Sequence, residues 1–465
     1  MAEIKDATVQ MEELTGSLDK ILQFSECDPE VASQFKARVA TYKNMQNKTG
    51  SDEVSRRLRH ELTSLFYKVY IAAFQVSIKQ KELPVVVRMF LEFGYVDEEL
   101  AGIQNAAYMY QLAQDMPTSP EHGVYSIYQW LMAIFRGEKE PGRNEFDMDY
   151  TEYLREQKKK GAITAEQEKA LLNSNGPKVM FELQNVFPAV NKITYGRPSV
   201  FCPVFSRHNM LKPIESALVT AEKIVSTLEE IRRIDFGAFY RETMFSDPER
   251  NIPGERISVE VLPDVILTPN AGSRGIMWQE IEGKKRTTPA RMMISIFQME
   301  ELQGILMQLT AEFRWEMCKR VQGGRWNDVS EPSLTSEYCD YVQFYRKNKD
   351  LSADTKEKVK AQLAKCRNNY KEMFISDYIM WLRFESTGAP RLNKVARRII
   401  FTYCPFAKEV RTKLAINPLY KDFMEKYTIK QGQKMTHVNN VCQRILKTGK
   451  DIPEEIENHK RFLNM

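Results

Sequence analysis

Residues 257–328 read ISVEVLPDVILTPNAGSRGIMWQEIEGKKRTTPARMMISIFQMEELQGILMQLTAEFRWEMCKRVQGGRWND, and here β-patterning, glycine-bearing turns and a dense set of Arg and Glu residues coincide. The stretch also holds three of the five tryptophans, Trp278, Trp315 and Trp326. Arg256–Leu262 alternates as a half-buried strand does, and Val265-Ile266-Leu267 continues the pattern after Pro263. Gly275–Ile281 and Arg291–Phe297 are two further strand candidates. The turn-like connections at 269–273 and 282–289 are short, which favours antiparallel neighbours. The expectation is a small antiparallel meander leading into a helix from about Gln298.

Outward from this stretch the chain reads as helix. After Gly50, Ser51 is placed to cap a helix whose apolar residues Val54, Leu58, Leu62, Leu65, Val69, Ala72 and Val76 recur at alternating spacings of four and three. Pro84, Gly94, Asp97, Ser119-Pro120 and Gly137 punctuate the helices that follow. The aromatic residues there, Phe90, Phe93, Tyr125, Tyr128 and Trp130 among them, are read as core. A long helix is expected from about Pro213 to Tyr240. Beyond Glu331, a helix capped by Ser352 carries the stripe Val359, Leu363, Cys366, Tyr370, Phe374, Tyr378 and Trp381.

These readings predict an α+β fold, predominantly helical, with an N-terminal helical bundle and a C-terminal domain in which a small antiparallel sheet lies among long helices. The expected divisions are an acidic N-terminal arm at 1–48, a helical bundle at 49–137, a linker at 138–177, an α+β domain at 178–430 and a polar C-terminal tail at 431–465.

With 43% hydrophobic and 28% charged residues, the composition is that of a globular chain and argues against disorder. No apolar run approaches the roughly 20 residues needed to span a bilayer, so no membrane span is expected. The acidic start lacks the basic, then apolar, pattern of a signal peptide. The seven cysteines are scattered and form no C-x-x-C pair, which points to reduced thiols and a cytoplasmic location. The net charge of +5 is unevenly spread. Residues 346–413 hold 17 Lys or Arg against seven Asp or Glu, a net of +10, whereas residues 1–34 hold eight acids against two lysines.

Candidate chemistry is sparse. Glu312 and Glu316 lie one helical turn apart, the spacing for an acid and base pair, with Arg320 a further turn on. An ordinary exposed Glu316–Arg320 pair explains the same spacing. Arg274, in the turn Gly272-Ser273-Arg274-Gly275, and Lys284, Lys285 and Arg286 in the next connection suit an anion, as does Arg291. Trp278 and Trp326 offer aromatic faces for cations. No metal-ligand spacing is present, the glycines match no nucleotide-binding motif, and no cofactor is indicated. Lys347, Lys349, Lys356 and Lys360 form the core of a basic surface. Clustered cations of this kind suit nucleic acid, but no zinc-finger or RNA-recognition signature accompanies them.

The sequence therefore points to a cytosolic interaction or regulatory protein that binds an anionic ligand or protein partner through its basic C-terminal domain. The alternative is an enzyme acting on a phosphorylated or carboxylated substrate with the Arg and Glu residues of 257–328.

Overall fold

A computed structural model describes residues 12–46, 48, 50, 52–144, 146, 148–194, 204–279 and 291–465. The chain divides into two units. The first comprises the described residues as far as Ile224 with Asp264–Gln279 and Arg291–Leu302; the second comprises Val225–Pro263 and Gln303–Met465. The fold is α+β and predominantly helical.

Eight strands are described: β1 Tyr95–Val96, β2 Val124–Ser126, β3 Val204–Phe205, β4 Tyr240–Asp247, β5 Ile252–Glu260, β6 Asp264–Gly272, β7 Gly275–Gln279 and β8 Arg291–Gln298. A two-stranded antiparallel sheet is present in the second unit as the β4–β5 pair, of which only β5 was an expected strand. The remaining predicted strands enter a mixed sheet of the first unit in the order β2-β6-β8-β7. There β6 is parallel to both β2 and β8, and β7 alone is antiparallel, to β8. A simple meander would leave β8 at an edge. Its residues Arg291–Gln298 are buried without alternation, the pattern of a strand covered on both faces, and it lies between β6 and β7. Pro263, which has no N–H for a ladder, marks the point where the run Ile257–Leu267 passes from one unit to the other. At the end of β6, Gly272 approaches β8 so closely that a Cβ atom there would lie 2.0 Å from Ser295 Oγ.

Helices of the first unit begin where side chains accept their free N–H groups. Asp28 accepts from the amides of Glu30 and Val31, Asp52 from Ser55 N, and Asp97 from Glu99 N and Leu100 N. The expected cap at Ser51 is thus supplied one residue later, by Asp52. On the Glu53–Ser77 helix, Leu58, Leu62, Leu65, Phe66, Val69 and Tyr70 face the core, while Val54 is exposed. Phe66, Tyr70, Phe90 and Phe187 pack ring to ring, with the Phe66 and Phe90 centroids 5.0 Å apart. The helix expected at 213–240 is broken: Ile214–Ala217 and Ala221–Ile234 are separate, because Val219 N donates to the Ile296 carbonyl of β8.

Two stretches expected at the margins carry core. Leu14, Ile21, Phe35, Val39 and Tyr42, from the arm read as acidic, are buried. Within 138–177, Tyr150–Lys159 and Ala165–Leu172 are helices with complete capping boxes at Asp149 and Thr164. Tyr150 and Leu154 cluster with Phe181.

In the second unit, the β4–β5 hairpin packs on the C-terminal helices Pro418–Lys447 and Glu454–Leu463. Ile252, Ile257, Val438, Val441, Cys442, Ile445, Ile456 and Leu463 form that core. Ser258 N donates to His459 Nδ1 at 3.0 Å, and burial lowers the pKa of this histidine, which keeps it neutral. Residues 431–465 are therefore a packed part of the second unit. The stripe Val438, Val441, Cys442, Ile445 is apolar at i, i+3, i+4 and i+7, while the faces around it are polar enough to mask it.

Candidate functional site

The basic segment occupies short helices of the second unit. Ser333 and Ser352 start the Leu334–Phe344 and Ala353–Lys365 helices by accepting from Ser336 N and Thr355 N. The Tyr370–Arg383 and Lys394–Tyr403 helices follow, capped by Asn369 and Asn393. Their apolar faces bury Tyr338, Phe374, Tyr378, Trp381 and Ile400, and the lysines are left on the outer faces. Lys347, Lys349 and Lys360 are exposed and Lys356 is half-buried.

Some of these cations are paired on their own helix. Lys358 meets Asp354 at 2.7 Å and Lys360 meets Glu357 at 3.3 Å. Such exposed pairs contribute only about 0.3–0.5 kcal/mol each. Among the described residues, no carboxylate lies within ion-pair distance of Lys347, Lys349, Lys356, Lys365, Arg367 or Arg398. Two exposed aromatic rings sit among them. Phe344 is 44% exposed with Lys347 Nζ 5.8 Å from its ring centre, and Phe384 is 39% exposed with the Arg391 guanidinium 5.4 Å away.

The charged residues that are buried have a different role. Arg397, adjacent to the exposed Arg398, donates to Glu385 through Nε at 2.7 Å. Glu385 also accepts from the amides of Arg391 and Leu392 at 2.6 and 2.7 Å and from the Tyr420 hydroxyl. Burial alone would raise the pKa of Glu385, but Arg397, Tyr420 and the two amides outweigh it and hold the pKa below the ordinary carboxylate value. Asp235 is likewise enclosed, accepting from Arg314 Nε at 2.8 Å and from the Tyr378 hydroxyl at 2.5 Å.

The candidates of 257–328 are distributed between the units. In the first, Arg274 is exposed and its Nε donates to the Lys192 carbonyl. Arg291 is buried over the Trp130 ring at 4.5 Å, donates to the Glu140 carbonyl and lies 3.8 Å from Glu182 Oε1. Glu182 accepts from Trp130 Nε1 at 2.5 Å and from Gly142 N at 2.6 Å. Burial lowers the pKa of Arg291 and raises that of Glu182, as expected of a desolvated pair at the start of a central strand.

In the second unit, Glu316 is buried and accepts from Lys371 Nζ at 2.9 Å, whereas Glu312 is half-buried and accepts from Gln308 Nε2 at 3.3 Å. Trp326 packs edge-on against Trp315 with Lys319 Nζ 5.4 Å from its ring centre. Lys284, Lys285 and Arg286, and the side chains of Trp278 and Arg320, lie outside the described residues. No cluster of three or more His, Cys, Asp or Glu suited to a metal occurs among the described residues.

A family model described as a domain of unknown function (DUF8509) matches residues 323–462, a stretch that includes the basic segment. No curated protein and no solved structure matches the chain.

Sequence reasoning passed over Glu92, Asp235, Asp377 and Glu385, all of them buried. Glu92 and Asp235 stand between apolar residues, as in Phe90-Leu91-Glu92-Phe93 and Ile234-Asp235-Phe236, and that isolation is the signal that marks them; Asp377 and Glu385, beside Ser376 and Ser386, carry no such mark.

Proposed function

We propose that the second unit is an interaction module that binds an anionic partner through the exposed cations of residues 346–413. The observation that carries this reading is the set of cations, Lys347, Lys349, Lys356, Lys365, Arg367 and Arg398, that meet no carboxylate among the described residues. A structural ion-pair network would neutralise such charges, whereas a binding surface leaves them available. The exposed rings of Phe344 and Phe384, each beside a cation, favour a single-stranded nucleic acid over an acidic protein as that partner, because bases stack on such rings. The six free thiols among the described residues support a reducing compartment such as the cytoplasm. The enzyme reading has less support, since Arg274, Arg291 and Glu316 each already hold a partner within their own unit.

The test is fluorescence anisotropy with a labelled single-stranded oligouridylate, and with polyglutamate as the acidic-peptide probe. The expected result is oligouridylate binding that weakens with salt and is lost when Lys347, Lys349, Lys356 and Lys365 are all replaced by Glu. Equal binding by the reversed variant would overturn the basic-surface reading. Preference for polyglutamate would retain that surface and overturn nucleic acid as its partner.

A further inference from the structure

Between the Glu53–Ser77, Val85–Phe93 and Ile127–Phe135 helices of the first unit lies a cavity of about 710 Å³. Ile78, Leu83, Met132 and Phe135 supply apolar wall, and Glu92 lies on the same wall. Glu92 is 2% exposed and its Oε2 atom has no hydrogen-bond partner. Its other contacts are a hydrogen bond with Ser126 and the charge of Arg88, one turn earlier on its own helix. The neighbouring donors are committed elsewhere. The Tyr70 hydroxyl donates to the Leu91 carbonyl at 3.0 Å, and the Tyr128 hydroxyl donates to Ser77 Oγ at 3.2 Å. Arg88 reaches the Ala113 carbonyl at 3.4 Å.

A buried carboxylate oxygen without a donor is costly, and stable folds rarely keep one without use for it. Among other buried carboxylates, Glu182 and Asp377 have both oxygens met by Trp130, Gly142, Tyr338 and Gln362, and Glu316, whose Oε2 atom is also without a hydrogen-bond partner, is paired through Oε1 with Lys371 Nζ at 2.9 Å. The same cavity offers the ring of Tyr128, which suits a cation. At the rim, the solvated side chains of Lys81, Arg88 and Arg136 are largely offset by Glu82 and Glu138. The position of Glu92 deep in the wall therefore sets the sign of the ligand's polar end.

We propose that this cavity binds a small aliphatic amine, its ammonium group paired with the Glu92 carboxylate and its hydrocarbon part lying against Ile78, Leu83, Met132 and Phe135. A carboxylate or phosphate would meet Glu92 as a like charge. A purely apolar molecule would leave its oxygen unsatisfied. Burial raises the pKa of Glu92 to about 7, against the opposing effects of Ser126 and Arg88. The groups facing it from the packed helices are Tyr70 and Tyr128, both neutral below the pH range of phenols.

Calorimetry on the full chain with n-hexylamine, n-hexanol and hexanoate at alkaline pH tests this. Hexylamine is expected to bind, with hexanol and hexanoate about tenfold or more weaker. Glu92→Gln is expected to weaken hexylamine by about tenfold, while Arg136→Gln leaves it as tight or tighter. Hexanoate binding as well as hexylamine, no hexylamine binding, or an unchanged affinity in Glu92→Gln would overturn the proposal. If Glu92→Gln fails to fold, the wild-type chain decides the matter. Hexylamine stays charged throughout, so its affinity should rise about tenfold between pH 6 and pH 8 as Glu92 ionises, and a flat profile would contradict the assignment.

Discussion

Glu92 in the first unit and Glu385 in the second are the same residue type, both buried, in opposite circumstances. Glu385 accepts from Arg397, Tyr420 and two backbone amides, and its pKa is held below the ordinary value. Glu92 keeps one oxygen without a donor beside a cavity, and its pKa is raised to about 7. Burial opposes ionisation at both sites, so the difference comes from the donors supplied. A charge whose partners are complete serves the fold; one left incomplete is open to something outside the chain. The exposed cations around Lys347 and Lys349 belong to the second kind.

The largest effect that would break this contrast lies at Glu385. Glu385→Gln leaves the Arg397 guanidinium buried without its counter-charge, and denaturant unfolding should show a loss of about 3–5 kcal/mol. A loss below about 1 kcal/mol would mean that the site is far less enclosed than the structure has it.

Next is the pH dependence at Glu92. Its folded-state pKa lies above the unfolded value, so the unfolded chain ionises first and stability falls as pH rises from about 4.5 to about 7, then levels off. The loss is on the order of 3 kcal/mol. Asp377, raised to about 6 by burial, contributes in the same direction at lower pH. The diagnostic quantity is therefore wild type minus Glu92→Gln, which should show the Glu92 slope alone. Glu385 has the opposite sign: its contribution is present above the unfolded carboxylate pKa and is lost as pH falls through its depressed folded value.

Smaller effects sharpen the comparison by separating packing from charge. Gly272→Ala forces its Cβ against Ser295 and should cost about 2 kcal/mol in denaturant unfolding without altering the pH slope. Lys360→Ala removes only the exposed pair with Glu357 and should change stability by less than about 0.5 kcal/mol.

The fold class, the segments of β5 to β8 and some helix starts were legible because they rest on local rules, whereas β1 to β4 were not legible as strands. Alternation announced β5, prolines and glycines marked the breaks, and Asp97 and Ser352 marked caps. Strand order was less legible. The run MMISIF does not alternate, but the short connections favoured a simple meander, and only the ladder shows β8 between β6 and β7. The C-terminal helices were obscured because Val438, Val441, Cys442 and Ile445 form a narrow stripe within a polar sequence. The basic segment was visible as composition, yet sequence could not separate Arg397, buried on Glu385, from Arg398 beside it, which is exposed. Glu92 was invisible as a candidate because Tyr70, Ser126 and Tyr128, the groups around it, are distant from it in sequence.

The claim that unpaired charges are the binding groups is tested most directly by the salt dependence of oligouridylate binding. Replacing Lys347, Lys349, Lys356 and Lys365 by Gln should lower the slope of log affinity against log salt by about 3, as expected for four phosphate contacts on a single strand. A slope identical to that of the wild-type chain would contradict it.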